Sequence, residues 1–460
     1  MSTLPTSFAK RIFLRSLAQL RGGSLELIEN GRTWEFGEPG GSLRATVVVN
    51  NDRFFPRALL GGNVALGEAW MDGDWSSPDL VAVIRLAVRN LAPLEQPNRL
   101  LSALSRGFDA LHHRMRGNSV AGSRRNIEAH YDLSNDFFQF FLDRGMMYSC
   151  ACYEGEDDSL EAAQFHKLDT ICRKLRLGPD DHVLEIGTGW GGFAEHAARH
   201  YGCRVTTTTI SLRQYEYARE RFDSIPERDR IELLQEDYRN LRGQYDKIVS
   251  IEMFEAVGLR YYDEFFRACD RLLRPHGSML MQTITINEQA FPAYHRGSDW
   301  IQKYIFPGAE LASVSEILRS LARATSLGLY HAEDIGTHYA RTLAEWRKRF
   351  HNAIDQVRGL GFDDRFIRMW DYYLAYCEGA FLERHIGNFQ LLLTKNHSPK
   401  TLFNEPWRGD RVEVGAGRCD FPCASGIVFP AVPITTTTEA NPLRNGARLG
   451  LGCPPFKPLV

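Results

Sequence analysis

An α/β fold with a largely parallel sheet, covered by helices on both faces, is what the middle of this 460-residue chain predicts. Two observations predict it. Between Glu161 and Thr285, helix-period segments alternate with short apolar runs at Val183–Ile186, Arg204–Thr209, Ile231–Leu234, Lys247–Ile251 and Ser278–Ile284. Alternating strands and helices build a parallel sheet, with a helix crossing over after each strand. Glycine-rich and polar clusters also follow the carboxyl ends of these runs, where such sheets bind ligands.

Ahead of the sheet, Ser24–Phe36 alternates around Asn30-Gly31, a pair that takes the φ > 0 angles of a tight hairpin, and Arg44–Asn50 reads as another strand. Helical patterns follow from about Asp79. These predict a small mixed α+β N-terminal domain over residues 1–125. Within it, Arg99–Arg116 sets Leu101, Leu104, Phe108, Leu111 and Met115 on one helical face, with arginines 99, 106, 114, 116, 124 and 125 nearby. Such a basic amphipathic helix suits an anionic lipid surface. Packing on a neighbouring domain is the commoner fate of the same pattern.

The second domain, 126–396, carries the sheet and is interrupted at 287–325 by an aromatic, proline-bearing insertion that includes Phe291-Pro292 and Trp300–Gly308. That composition reads as a lid over an apolar pocket. Helical segments over Thr342–Arg358 and Asp364–Arg384 and a strand ending at Lys395 complete the domain. Nine of the twenty prolines fall in residues 397–460, together with Thr435–Thr438, which predicts a poorly ordered tail.

A net charge of −2 excludes an overall electrostatic drive toward nucleic acid. The nine cysteines are scattered, without C-x-x-C spacing, and read as reduced thiols of a cytoplasmic protein with no metal site. Lys10, Arg11 and Arg15 are not followed by the apolar core of a signal peptide, and no run of about 18 apolar residues occurs. Membrane contact is therefore expected to be peripheral.

The most informative stretch is Val183-Leu184-Glu185-Ile186-Gly187-Thr188-Gly189-Trp190-Gly191-Gly192, a buried strand breaking into a glycine turn that opens a helix. Gly187, Gly189 and Gly191 allow a tight turn and close approach to a ligand. Their spacing departs from the dinucleotide fingerprint, since the third glycine comes one residue early. It fits S-adenosylmethionine better than a pyrophosphate, although a plain strand-turn-helix corner would also need glycine. The second strand ends in Thr207-Thr208-Thr209-Ile210-Ser211 with Gln214 a turn later, hydroxyls and an amide suited to a ribose. Glu236-Asp237-Tyr238 after the third offers a carboxylate and a ring face to an adenine; two helix N-caps and a core tyrosine are the plainer reading.

Longer motifs then carry a resemblance. Ala129-His130-Tyr131-Asp132-Leu133-Ser134-Asn135-Asp136-Phe137-Phe138, Met147-Tyr148-Ser149-Cys150-Ala151, the glycine turn, Ser250-Ile251-Glu252-Met253-Phe254-Glu255-Ala256-Val257-Gly258 and Gln282-Thr283-Ile284 occur in order. With Tyr304–Gly308, His338–Leu343 and Arg384–Gly387, the set closely resembles the cyclopropane-fatty-acyl-phospholipid synthase family of S-adenosylmethionine-dependent class I methyltransferases, from about Gly61 to Lys395.

The resemblance implies a Rossmann-like methyltransferase sheet and methyl transfer to the cis double bond of an unsaturated phospholipid acyl chain, giving a cyclopropane ring. It implies cofactor contacts at Tyr148, Ser149, Gly187, Gly189, Gly191, Thr209, Gln214 and Tyr238, with Glu185 and Asp237 as supporting acidic groups. It further implies a bicarbonate ion, acting as base, at Cys150, Glu255, Gln282, Ile284 and Tyr339. Gln282 stands where many members carry histidine; it can donate a hydrogen bond to an anion but cannot carry charge, so a differently tuned base site is expected. Thr188, where members often have cysteine, is a smaller departure. The expected partners are the unsaturated phospholipid and the membrane surface it lies in, with a homodimer left open. Methylene- or methyl-branched products, a catalytically decayed lipid-binding protein and methylation of a soluble molecule are the alternative readings.

Overall fold

The computed structural model describes residues 5–91, 134–297 and 299–395. The basic helix expected over 99–116, the arginines to 125, the domain boundary near 125, the start of the 129–138 motif and the tail from 397 lie outside them. Among the described residues no helix is long and apolar enough to cross a membrane.

The first unit of structure is a four-stranded sheet in the order β2-β1-β3-β4, built from β1 (Ser24–Glu29), β2 (Arg32–Gly37), β3 (Arg44–Val49) and β4 (Trp75–Ser76). Asn30 (φ 47°) and Gly31 (φ 77°) make the predicted turn between β1 and β2. Four helices flank it: α1 (Thr6–Leu17), α2 (Phe54–Leu60), α3 (Gly62–Met71) and α4 (Leu80–Arg89). Asp79 caps α4, its carboxylate accepting from the Ala82 N–H at 2.9 Å. The helices before Asp79 were not expected, although α1 sets Ala9, Phe13 and Leu17 at helical spacing. In α3, Gly67 is required because a Cβ would stand 2.5 Å from the Trp300 indole and 2.9 Å from Tyr372.

The second sheet has seven strands in the order β10-β11-β9-β8-β5-β6-β7. Its strands are β5 (His182–Ile186), β6 (Arg204–Thr208), β7 (Ile231–Leu234), β8 (Tyr245–Ile251), β9 (Leu273–Ile286), β10 (Leu327–Asp334) and β11 (Ile386–Lys395). From β7 to β9 all pairings are parallel, and β11 joins antiparallel to both β9 and β10. The five expected strands and the last one are present. The edge strand β10 escapes the pattern because most of its side chains are exposed, so no apolar alternation marks it.

Short α5 (Asn135–Gln139) and long α6 (Leu160–Leu175) precede β5. Crossover helices α7 (Gly192–Tyr201), α8 (Leu212–Asp223) and α9 (Tyr262–Leu272) follow β5, β6 and β8. The 287–325 insertion folds into α10 (Phe291–Tyr294), α11 (Trp300–Tyr304) and α12 (Val314–Ala324). The helix expected over Thr342–Arg358 begins earlier and breaks at Ala353, giving α13 (Gly336–Asn352) and α14 (Ile354–Gly359), and α15 (Asp364–Leu382) follows.

One apolar core runs from the first sheet into α13 and α15, so Phe55, Trp75, Phe137, Trp346 and Trp370 belong to the same cluster. Helix α15 is the bridge. The Trp70 indole on α3 donates to the Arg368 carbonyl at 3.0 Å, and a Cβ on Gly379 would stand 2.7 Å from Ile84 on α4. Close-packed contacts of this kind leave no room for an added methyl. Gly67→Ala should therefore destabilise the protein by about 1–3 kcal/mol, in spite of alanine's better helix propensity. Equilibrium urea denaturation measures it, and an unchanged or raised midpoint would show that Trp300 yields freely.

Candidate active site

After β5, the chain turns through three glycines in the left-handed region, Gly187 (φ 104°), Gly189 (φ 54°) and Gly191 (φ 90°). The N–H groups of Gly187 and Thr188 both donate to the Thr208 carbonyl at 3.0 Å, which ties the turn to the end of β6. A Cβ at Gly189 would meet nothing within 4 Å, one at Gly187 would touch Met253 at 3.1 Å, and one at Gly191 would strike the Phe222 ring at 2.8 Å. The first two glycines open onto a cavity; Gly191 serves packing against α8.

That cavity, about 980 Å³, is lined by Tyr148, Gly187, Gly189, Thr209, Gln214, Asp237 and Tyr238 of the expected cofactor set. Ser149, Glu185 and Gly191 stand outside its lining. Ser149 is buried and accepts from the ammonium of fully buried Lys167 at 2.8 Å. Glu185 lies beneath the turn, accepting from the Thr207 hydroxyl at 2.6 Å, and Thr207 in turn pairs with Thr188 at 2.7 Å. Burial pushes the Glu185 carboxyl up to about 8. The Thr209 hydroxyl donates to Gln214 Oε1 at 2.9 Å and orients that amide at the cavity wall. The Asp237 carboxylate is held by Arg239 through bonds of 2.8 and 2.6 Å, while the Tyr238 ring packs edge-on against Phe265.

The five residues expected to share one anion divide into two groups. Cys150, Gln282 and Tyr339 converge on a residue with no role in the sequence reading, Glu252. Its Oε1 accepts from the Cys150 N–H at 2.9 Å, Gln282 Nε2 at 2.8 Å and Asn388 Nδ2 at 2.6 Å; its Oε2 accepts from the Tyr339 hydroxyl at 2.6 Å. Gln390 Nε2 donates to Gln282 Oε1 at 3.0 Å and so aims the Gln282 amide nitrogen at the carboxylate. Cys150 contributes its backbone. Burial raises its thiol well above the ordinary value, and the Sγ–H is turned to the Ala151 carbonyl at 3.2 Å.

Glu255 and Ile284 form the second group. Glu255 Oε1 accepts from the Ile284 N–H at 2.5 Å and the Thr283 hydroxyl at 3.0 Å, whereas Oε2 is buried with no partner among the described residues. Burial first, and then the neighbouring Glu252 charge, push the Glu255 carboxyl up to about 8. Near neutral pH the site thus sets a neutral Glu255 beside Glu252. Glu252 and Asn388 are the functional candidates missed from sequence. Both lie inside or next to quoted motifs, but only the three-dimensional pairing singles them out.

Aromatic rings close the cavity around this pair. The Tyr148 and Tyr373 hydroxyls are 3.0 Å apart, and the Tyr339 ring centroid is 4.6 Å from that of Phe381. The insertion adds Tyr294, Ile301, Phe306 and Leu311 to the lining, and the N-terminal elements add Phe13, Leu17, Leu25 and Val47. The space beside the glycine turn is thus mainly greasy, with the acidic side chains of Glu236, Asp237, Glu252, Glu255 and Asp299 set into its wall. Among the described residues no cluster of His, Cys, Asp or Glu could hold a metal, and the six described cysteines are free.

The raised Glu185 carboxyl has a pH consequence. The folded state holds a proton that the unfolded chain releases above the ordinary glutamate value, so this contribution is complete at low pH and is lost as pH rises to about 8. Glu185→Gln removes that titration. The melting temperature of the cofactor-free variant should gain on the wild type as pH goes from about 5 to about 8.5; a gap that stays constant would mean Glu185 is ionised throughout.

A family model described as mycolic acid cyclopropane synthetase matches residues 119–391. Tuberculostearic acid methyltransferase UfaA1 of Mycobacterium tuberculosis is 38% identical over 345 residues, 74% of this chain and 80% of that protein. Cyclopropane-fatty-acyl-phospholipid synthase of Escherichia coli K12 is 38% identical over 359 residues, 77% of this chain and 89% of that one. Among solved structures, the cyclopropane synthase MmaA2 from Mycobacterium tuberculosis is 30% identical with a TM-score of 0.55, over 59% of this chain and 98% of its own. Mycolic acid cyclopropane synthase CmaA1 complexed with SAH and CTAB gives 30% and 0.56 over the same shares. Fold, glycine turn and sequence agree, and the chain belongs to the mycolic acid cyclopropane synthetase family of S-adenosylmethionine-dependent methyltransferases.

Proposed function

We propose that the protein methylates the cis double bond of an unsaturated phospholipid acyl chain at the membrane surface and closes a cyclopropane ring. The single observation that carries this reading is one cavity in which the glycine turn opens directly onto an apolar, aromatic-walled hollow. A soluble polar acceptor would gain nothing from such walls, whereas each buried methylene of an acyl chain is worth about 0.8 kcal/mol. The likeness to a cyclopropane-fatty-acyl-phospholipid synthase and to a structure holding SAH and CTAB supports it.

The turn fits S-adenosylmethionine: Gly189 leaves open space where any other residue would place a side chain, and Thr209, Gln214 and Tyr238 line the same wall. When bound, the cofactor supplies a methyl group activated by a sulfonium. The chain's own residues do the rest. The walls position a weakly nucleophilic double bond in line with the donor. They also exclude the water that would capture a carbocation, while the faces of Tyr148 and Tyr339 stabilise positive charge. A proton acceptor must then stand near the new methyl group. The donors expected to hold a bicarbonate there, Cys150, Gln282 and Tyr339, are engaged by Glu252, so no step is drawn through that ion.

A branched product is the second reading. It is favoured by the equal likeness, 38%, to a tuberculostearic acid methyltransferase. Both readings share the first step and differ in how the cation is quenched.

Purified protein incubated with labelled S-adenosylmethionine and dioleoylphosphatidylglycerol vesicles should move label into the lipid. Mass spectrometry of the released acyl chains then separates cyclopropane from methylene isomers by fragmentation, and a reduced methyl branch by two extra hydrogens. Label appearing only on soluble acceptors, without vesicles, would overturn the reading. Gly189→Val should weaken cofactor binding by at least about tenfold in calorimetry, roughly 1.4 kcal/mol, because it fills the open face of the turn; unaltered affinity would place the cofactor elsewhere.

A further inference from the structure

We infer that the Glu252 carboxylate is itself the proton acceptor of the reaction, and that the protein works without bicarbonate. The inference rests on the acyl-chain reading above. It starts from the donors. Three of the residues that the resemblance assigns to the ion, together with Asn388, spend their hydrogen bonds on Glu252 at 2.6 to 2.9 Å. All four groups donate, so the donors that an anion in this pocket would need are already committed to the Glu252 side chain. A second anion would find those donors taken and would face the Glu252 charge at close range. Gln282, being neutral, adds no positive charge to offset two anions.

The backbone places the carboxylate for the task. Glu252 follows directly after β8, at the carboxyl edge of the sheet, and adopts φ 48°, a left-handed conformation that costs a non-glycine residue about 1–2 kcal/mol. Its N–H donates to the Gln282 carbonyl at 2.7 Å, which pins that conformation. The side chain lines the cavity together with Tyr148 and Gly187. Oε1 accepts three bonds; Oε2 accepts one, from Tyr339, so among the described residues it has an acceptor lone pair to spare.

The balance of the step is complete with groups already named. Methyl transfer breaks the carbon–sulfur bond, its electron pair going to sulfur, and the alkene π pair forms the new carbon–carbon bond, leaving the adjacent carbon cationic. Glu252 Oε2 takes a proton from the new methyl group, and the released C–H pair closes the ring on the cationic carbon. The products are the cyclopropane, the thioether and a protonated Glu252, which returns its proton to water once the acyl chain leaves. Taking the proton from a different carbon would leave an alkene instead, so this residue also governs the product.

The test uses the full chain on dioleoylphosphatidylglycerol vesicles. Wild-type turnover should be the same in carbon-dioxide-free buffer as with about 10 mM bicarbonate, and Glu252→Gln should lose about 10²- to 10⁴-fold in kcat while still binding S-adenosylmethionine. Glu252→Gly, which suits the positive φ, should regain activity when bicarbonate or formate is added, a rescue that a merely structural role would not produce. Wild-type turnover that falls without bicarbonate and returns with it would overturn the inference, as would a folded Glu252→Gln of near wild-type activity or a folded, cofactor-binding Glu252→Gly that neither ion rescues. The wild-type bicarbonate titration decides the case alone if the variants fail to fold. A wild type that binds the cofactor but never labels the vesicles would overturn the acyl-chain reading and this inference together; an active but bicarbonate-dependent wild type overturns only the inference.

Discussion

A single carboxylate, Glu252, draws together four segments that are distant in the chain. Its partners are the backbone of Cys150 ahead of α6, Gln282 on β9, Tyr339 in the first turn of α13 and Asn388 on β11. A half-buried negative charge is costly unless donors meet it, so the positions of these segments are not independent. The antiparallel entry of β11 between β9 and β10 has its reason here. It sets Gln390 opposite Gln282 and Asn388 opposite Ile284, which supplies one donor to the carboxylate and a second amide to aim another. Without that strand, Gln282 could turn its oxygen to the anion.

Two acids close to this cluster, Glu185 and Glu255, behave differently. Both are raised to about 8, chiefly by burial, and each accepts only a few bonds from neutral groups. Near neutral pH they are held largely as neutral acids. The cavity lining also carries Glu236, Asp237 and Asp299, with Asp237 paired to Arg239, and Glu252 is the carboxylate that meets four donors beside the glycine turn.

Much of this was legible in the chain. The strand–helix alternation and the glycine turn follow from local rules: positive φ needs glycine, and buried parallel strands need unbroken apolar runs. The hairpin at Asn30-Gly31 was legible for the same reason. Helix α3 was not, because tertiary packing sets its residues: Gly67 looks like a breaker until Trp300 is placed against it. Strand β10 was hidden by its exposure. At the site, the motifs located Cys150, Gln282 and Tyr339; Glu252 lies inside one of them, but nothing in the sequence marks it as their common partner. Its strained φ and its four donors exist only once strands β8, β9 and β11 are side by side.

The joint core brings the N-terminal sheet to the wall of the cavity. Helix α15 seals α3 and α4 against the catalytic half, with Gly67 and Gly379 allowing backbone approach that any side chain would prevent. The cavity accordingly does not stop at the catalytic sheet but continues among Phe13, Leu17, Leu25 and Val47. An acyl chain gains about 0.8 kcal/mol for each methylene it buries against such an apolar wall.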